Sequence, residues 1–122
     1  FSLSTQMLPG GGELIINIAP CEQSNRQAIA LRLLRSGKLS LRFRQGGESV
    51  KLSGRPTRPL KKILQDADLP PWWRDRLPLL YKEDELVAIP GVGVSESFVA
   101  VAGEDAVRLQ WRPPILPHPW HR

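Results

Sequence analysis

Cysteine is nearly absent from this 122-residue chain: a single residue, Cys21, excludes an intrachain disulfide and any multi-cysteine metal cage. A reducing cytoplasm is the default location for such a composition. Histidine is almost as scarce, and His118 and His121 stand three apart in a proline-rich stretch with no further ligands nearby, so no metal site is expected. No apolar run approaches the roughly 20 residues of a membrane helix, so the chain reads as soluble with no membrane partner. The first ten residues lack the basic start and apolar core of a signal peptide. With Phe1 in place of Met at the start, the sequence reads as a piece of a longer polypeptide. Catalytic signatures are missing as well. Gly10-Gly11-Gly12 and Gly91-Val92-Gly93 have neither the Lys-Ser/Thr pair and helix of a phosphate loop nor dinucleotide spacing, and they read as turns. Cys21, between Pro20 and Glu22, has no evident base beside it. No catalytic residue is assigned.

What the chain does have is positive charge, placed unevenly. Lysine and arginine exceed aspartate and glutamate by 17 to 12. From Arg26 to Lys62 there are 11 basic residues against Glu48 alone, whereas the remainder holds 6 basic and 11 acidic residues. A block of one sign points to a polyanionic partner, although an ordinary solvated surface has the same composition.

The length suits one domain, residues 1–112, followed by a tail at 113–122. Pro113, Pro114, Pro117 and Pro119 make that tail stiff and extended, unable to join a central strand, and it is expected to be poorly ordered. Short strands dominate the rest. Phe1, Leu3 and Thr5 alternate with Ser2 and Ser4, and the Gly10–Gly12 turn leads into the apolar run Leu14 to Ile18. Residues 24–36 fit either a helix capped by Ser24 or Asn25 or a strand. Leu39, Leu41 and Phe43 alternate with Ser40, Arg42 and Arg44, and Gly46-Gly47 predicts a hairpin returning through Val50 and Leu52. Leu60, Ile63, Leu64 and Ala67 predict a helix over 59–67 with Pro59 in its first position. Pro70 and Pro71 end it, and Trp72 to Leu77 predict one further turn. Strands follow at Leu79–Tyr81, Leu86–Ile89, Phe98–Val101 and through Val107, Leu109 and Trp111, with turns at Lys82-Glu83-Asp84, Pro90-Gly91 and Gly103-Glu104-Asp105. The expected fold class is mainly β (α+β): an antiparallel, sandwich-like domain with one or two short helices.

Several residues stand out within this frame. Arg42 and Arg44 are two apart on a strand and share a side, opposite the face expected to bury Leu41 and Phe43, and Lys51 on the return strand extends the pair. Lys61 and Lys62 occupy a helix start, where the partial positive charge of the backbone favours acids, so after Arg55 and Arg58 they read as an anion-binding group or as an exposed face held by packing. Of Trp72 and Trp73, one is expected in the core and the other near the surface as a stacking platform. Asp75 is expected to pair with Arg74 or Arg76, leaving the other for phosphate.

Lys61-Lys62, Pro70-Pro71-Trp72, Arg74-Asp75-Arg76-Leu77-Pro78 and Pro90-Gly91, in that order, resemble the signature of the C-terminal domain of the tRNA(Ile)-lysidine synthetase family. The upstream segment Leu41-Arg42-Phe43-Arg44-Gln45-Gly46-Gly47-Glu48 is similar to that family's first block. Trp73, where an aliphatic residue is expected, and the proline-rich tail depart from the pattern. The resemblance implies a fold related to a domain of the phenylalanyl-tRNA synthetase β-subunit. It implies a parent enzyme, an ATP-dependent ligase that joins lysine to the wobble cytidine of tRNA(Ile), with ATP and magnesium handled by an N-terminal domain whose Ser-Gly-Gly-x-Asp-Ser loop this sequence lacks. This domain would then be non-catalytic and would grip the tRNA(Ile) acceptor stem, beside the rest of the parent polypeptide, in the cytoplasm, with a homodimer through the parent enzyme left open. The candidate RNA-binding residues are Arg42, Arg44, Lys51, Arg55, Arg58, Lys61, Lys62, Arg74 and Arg76. The alternative is a basic docking module for another protein or for another domain of its own parent, without RNA contact.

Overall fold

The computed structural model describes residues 2–7, 12–22 and 26–113, the first of these segments by its backbone. Gly10 and Gly11 of the first expected turn, the Ser24 or Asn25 cap and the tail from residue 114 lie outside the described residues. Along the chain run β1 (Ser2–Met7), β2 (Glu13–Pro20), β3 (Ile29–Ala30), α1 (Leu31–Leu34), β4 (Leu39–Arg42), β5 (Ser49–Val50) and β6 (Arg58–Pro59). They are followed by α2 (Leu60–Asp66), α3 (Pro71–Arg74), β7 (Leu79–Lys82), β8 (Glu85–Ile89), β9 (Gly93–Val94), a 3-10 turn at Glu96–Phe98 and β10 (Asp105–Arg112). The named strands all pair antiparallel, as the short alternating segments predict.

Three layers result. One sheet has the order β1-β2-β10-β3 and a second the order β4-β7-β8-β9. In the first, Ile18 faces Val107, Ile16 faces Leu109 and Leu14 faces Trp111 across the β2–β10 ladder, so the apolar alternation of both strands falls on one side. That side packs through Ile29, Val107 and Leu109 onto Leu80, Val87 and Val94 of the second sheet. The other face of the second sheet presents Leu79, Tyr81, Leu86 and Ile89 to Val50, Leu52, Leu60, Ile63, Leu64 and Leu77, which come from α2 and the segments around it. β7 is thus apolar on consecutive residues because it is covered on both faces.

The helix at α2 follows from its spacing. Leu60, Ile63 and Leu64 are buried, while Lys61, Lys62, Gln65 and Asp66 are exposed. Seven residues are too few to hold a helix in water, so packing onto the second sheet fixes it. Pro59 is the residue before the first helical turn, not within it, and the backbone N–H of Leu60 donates to the Glu48 carbonyl at 2.8 Å. Asp68 closes the helix in the left-handed region at φ 59°, a conformation that aspartate tolerates better than most residues.

Three expectations are corrected. The hairpin through Gly46-Gly47 does not form: β4 pairs with β7, and β5 pairs with β6. β7, a central strand, takes a neighbour on each edge, while Val50 and Leu52 are drawn onto the core beneath α2. The faces of β4 are also reversed. Leu39 and Leu41 are 43% and 40% exposed and Phe43 is 36% exposed, whereas Arg42 and Arg44 are half-buried. Ser40 and Arg42 lie on the side of Tyr81 and Leu79, and Leu41 lies on the side of Leu80, where with Leu14, Ile16 and Leu109 of the first sheet it lines an apolar groove of about 330 Å³. Phe98–Val101 is not a strand: Phe98 ends the 3-10 turn Glu96–Phe98, and Val99 makes one isolated bridge to Ile29. The ambiguous segment is both things in succession, β3 and then α1.

Candidate nucleic-acid interface

The nine candidate cations stand on or just after β4 and on the layer that covers the outer face of the second sheet, namely the β5–β6 ribbon with its loop, α2, and α3 with the turn after it. Arg42 lies with its guanidinium 4.4 Å above the Tyr81 ring and donates to the Glu83 carbonyl at 2.8 Å and to Asp84 at 3.2 Å. Arg44 binds Asp75 at 2.7 Å, so the partner of Asp75 is neither Arg74 nor Arg76 as the sequence suggested. Arg74 instead donates to the Leu69 carbonyl at 2.7 Å, fastening α3 to the end of α2. Lys51 reaches Glu96 at 3.2 Å and the Arg55 carbonyl at 3.0 Å, and Arg58 pairs with Asp66 at 3.0 Å.

Arg55, Lys61, Lys62 and Arg76 differ from those five. All four are exposed, and among the described residues their side chains take part in no ion pair or hydrogen bond. The fold therefore uses no part of their charge. Lys51 and Arg58 are intermediate cases, because an exposed ion pair is worth about 0–1 kcal/mol and gives way readily to a phosphate. Arg26, which lies inside the basic block, was not singled out by sequence. Its guanidinium packs on Gly54, so closely that a Cβ there would stand 2.5 Å from the guanidinium carbon, and this places it beside the Arg55 loop. The charge count over Arg26 to Lys62 was the available signal for it.

Glu48 joins the parts. Its carboxylate accepts the backbone N–H of Gln45 at 2.6 Å and of Gly46 at 2.8 Å, and its carbonyl accepts Leu60 at the start of α2. The end of β4, with Arg44, is thereby tied to the helix that carries Lys61 and Lys62. Burial pushes the Glu48 carboxyl up, but backbone N–H groups of Gln45, Glu48 itself and Gly46, together with the charge of Arg44, outweigh it and hold the group below its ordinary 4.5. A depressed carboxylate stabilises the fold fully above its ordinary value, and that stabilisation is lost as pH falls through the folded value. Glu48→Gln is therefore expected to cost about 1 kcal/mol at neutral pH. The cost should vanish below the carboxylate range, and urea unfolding of both forms at the two pH values checks it.

The tryptophans divide as expected. Trp72 is 43% exposed on α3, while Trp73 is half-buried and meets Trp111 edge-on, with centroids 6.3 Å apart and planes at 85°. Among the described residues neither the Trp73 nor the Trp111 indole N–H, both buried, has an acceptor. Each such group ordinarily costs about 1–3 kcal/mol. Among the described residues no group of three or more His, Cys, Asp or Glu side chains is placed to hold a metal ion, and no helix is long and apolar enough to cross a membrane.

Residues 39–111 match the model of a family described as the TilS substrate C-terminal domain. A tRNA(Ile)-lysidine synthase of Serratia proteamaculans is 40% identical over 108 residues, which are 87% of this chain and 23% of that protein. One from Pseudomonas aeruginosa is 35% identical over 108 residues, 88% of this chain and 20% of that protein. The chain thus spans less than a quarter of the length of these curated relatives. A solved TilS C-terminal domain superposes with a TM-score of 0.68 at 26% identity, covering 90% of each chain.

Proposed function

From the premise that the chain belongs to the TilS substrate C-terminal domain family, we propose that it grips the acceptor stem of tRNA(Ile) for a parent tRNA(Ile)-lysidine synthase in the cytoplasm. The observation that carries this reading is the group of exposed cations, Arg55, Lys61, Lys62 and Arg76, that the fold leaves without acidic partners among the described residues. An A-form stem offers phosphates and 2′-hydroxyls across a wide, shallow minor groove, and it is held by shape and backbone contact. Such a stem is best met by charges in fixed positions. Lys61 and Lys62 stand on a helix fixed by three buried residues, and α3 is fastened through Arg74 and through the Arg44–Asp75 pair. The joining of lysine to the wobble cytidine, with its ATP and magnesium, belongs on this reading to the rest of the parent polypeptide. No step of that reaction is assigned to residues of this chain.

A salt titration tests this reading. Each phosphate neutralised by a cation releases condensed counterions, giving a slope of about −0.9 per contact in log affinity against log salt. Four uncommitted cations predict a slope of about −3 to −4 for an acceptor-stem duplex, and engagement of all nine would bring it near −8. A slope shallower than about −1, or equal affinity for acidic proteins of similar charge, would instead favour a protein-docking module.

A further inference from the structure

In the order β4-β7-β8-β9, β4 has β7 on one side and, among the described residues, no strand on the other. The Lys38 carbonyl accepts the Glu83 N–H at 2.8 Å, so by the alternation of an antiparallel ladder Ser40 and Arg42 turn their backbone groups toward β7. The N–H and C=O of Leu39 and Leu41 therefore point out from the open edge. Both leucine side chains are exposed, and with Leu14, Ile16 and Ile18 of β2 they line the apolar groove of about 330 Å³. That is roughly twice the volume of a cavity that takes up benzene. An unpaired strand edge beside an apolar groove is the arrangement that accepts an added strand, whose backbone bonds give affinity and whose alternate side chains fill the groove.

We propose that β4 receives an extended segment of the parent polypeptide as a fifth strand of the second sheet, with apolar side chains at alternate positions in the groove and an acidic one opposite Lys38. On the face of β4 away from the groove, Arg42 and Arg44 are held by Asp84 and Asp75. Lys38 is exposed, and among the described residues its ammonium group takes part in no ion pair, so it is the charge left for the incoming strand. A second copy of β4 fits poorly. The two antiparallel registers that set both leucines against apolar residues of the copy place Lys38 opposite Arg42 or Arg44, and like charges directly opposite are destabilising. The inference rests on the parent polypeptide invoked above but not on its contact with RNA. Most of such a parent lies outside this chain, which spans less than a quarter of its curated relatives. Ser2 of β1 stands opposite Ile18, which lines the groove, so residues leading into β1 arrive one strand away from it at high effective concentration.

Backbone hydrogen exchange, read residue by residue in the 122-residue chain and in the full-length parent, tests the proposal. The Leu39 and Leu41 amides are expected to exchange freely in the 122-residue chain and about a hundredfold or more slowly in the parent. In the parent, Leu41→Asp should return the Leu39 amide to the free rate, while Tyr81, opposite Ser40 in the β4–β7 ladder, keeps its protection and shows the sheet intact. Equal exchange in chain and parent overturns the proposal, and so does slow exchange at Leu39 that survives Leu41→Asp. Protection already present in the 122-residue chain overturns it as well: a rise with protein concentration would make a second copy the occupant, and independence of concentration a segment of the chain itself. No RNA enters the measurement, so its outcome is separate from that of the acceptor-stem reading.

Discussion

Replacing Arg55, Lys61, Lys62 and Arg76 together by alanine lowers affinity for an acceptor-stem duplex by on the order of a thousandfold at about 0.1 M salt, and flattens the salt dependence by about three units. The size follows from counterion release, since each lost contact removes nearly a decade of affinity between about 1 M and 0.1 M salt. The loss is expected to be uniform across stem sequences, because phosphates carry no base identity. None of the four side chains is buried or paired among the described residues, so the unfolding free energy should move by less than about 1 kcal/mol. Lys61→Ala alone should be neutral or slightly stabilising, since alanine is the better helix former and a positive charge leaves the positive end of the helix. Arg42→Ala is the contrasting control: its guanidinium is engaged by Tyr81, Glu83 and Asp84, so it should affect stability by about 0.5–1 kcal/mol and binding little. Electrophoretic or fluorescence titration of each variant across salt, with urea unfolding alongside, checks both halves.

Leu64→Ala has the largest expected effect on the fold. Leu64 is fully buried in the core between α2 and the second sheet, with Leu60, Ile63, Leu79 and Ile89 around it. Removing the side chain costs the transfer free energy of the lost methyl groups plus the cavity they leave, about 2–5 kcal/mol. For a domain of this size that is a large share of the whole stability. The urea midpoint should fall with little change in slope, since the surface exposed on unfolding is nearly the same. Function is coupled to this packing: α2 has no intrinsic stability at seven residues, so Lys61 and Lys62 lose their fixed placement as the packing loosens. A midpoint shift equivalent to less than about 1 kcal/mol would show that α2 is not held by this core.

Much of this architecture is legible in the residues. The spacing of Leu60, Ile63 and Leu64 marks α2, and the alternation of Val107, Leu109 and Trp111 against Arg108, Gln110 and Arg112 marks β10 and its inner face. Pro70-Pro71 marks both an end and a beginning, since Pro71 opens α3. The basic block from Arg26 to Lys62 marks the region of the interface. What local pattern does not encode is the partner across space. Leu39, Leu41 and Phe43 alternate like a buried strand face, yet β4 is an edge strand, and its leucines line an open groove. The Gly46-Gly47 pair has the positive φ values of a tight turn, yet β7, some forty residues further on, takes β4 as its neighbour. The same holds for charge. Asp75 lies between two arginines in sequence and pairs with Arg44, 31 residues away, so only the fold separates cations held by an intrachain carboxylate from those still available.

Hydroxyl-radical footprinting of the 122-residue chain on a tRNA(Ile) transcript tests the central claim most directly. Backbone protection is expected to be confined to the acceptor stem, and to be lost both when Arg55, Lys61, Lys62 and Arg76 are replaced by alanine and when salt rises with the unaltered chain. Protection elsewhere on the tRNA, or acceptor-stem protection that persists in the four-alanine variant, would contradict it.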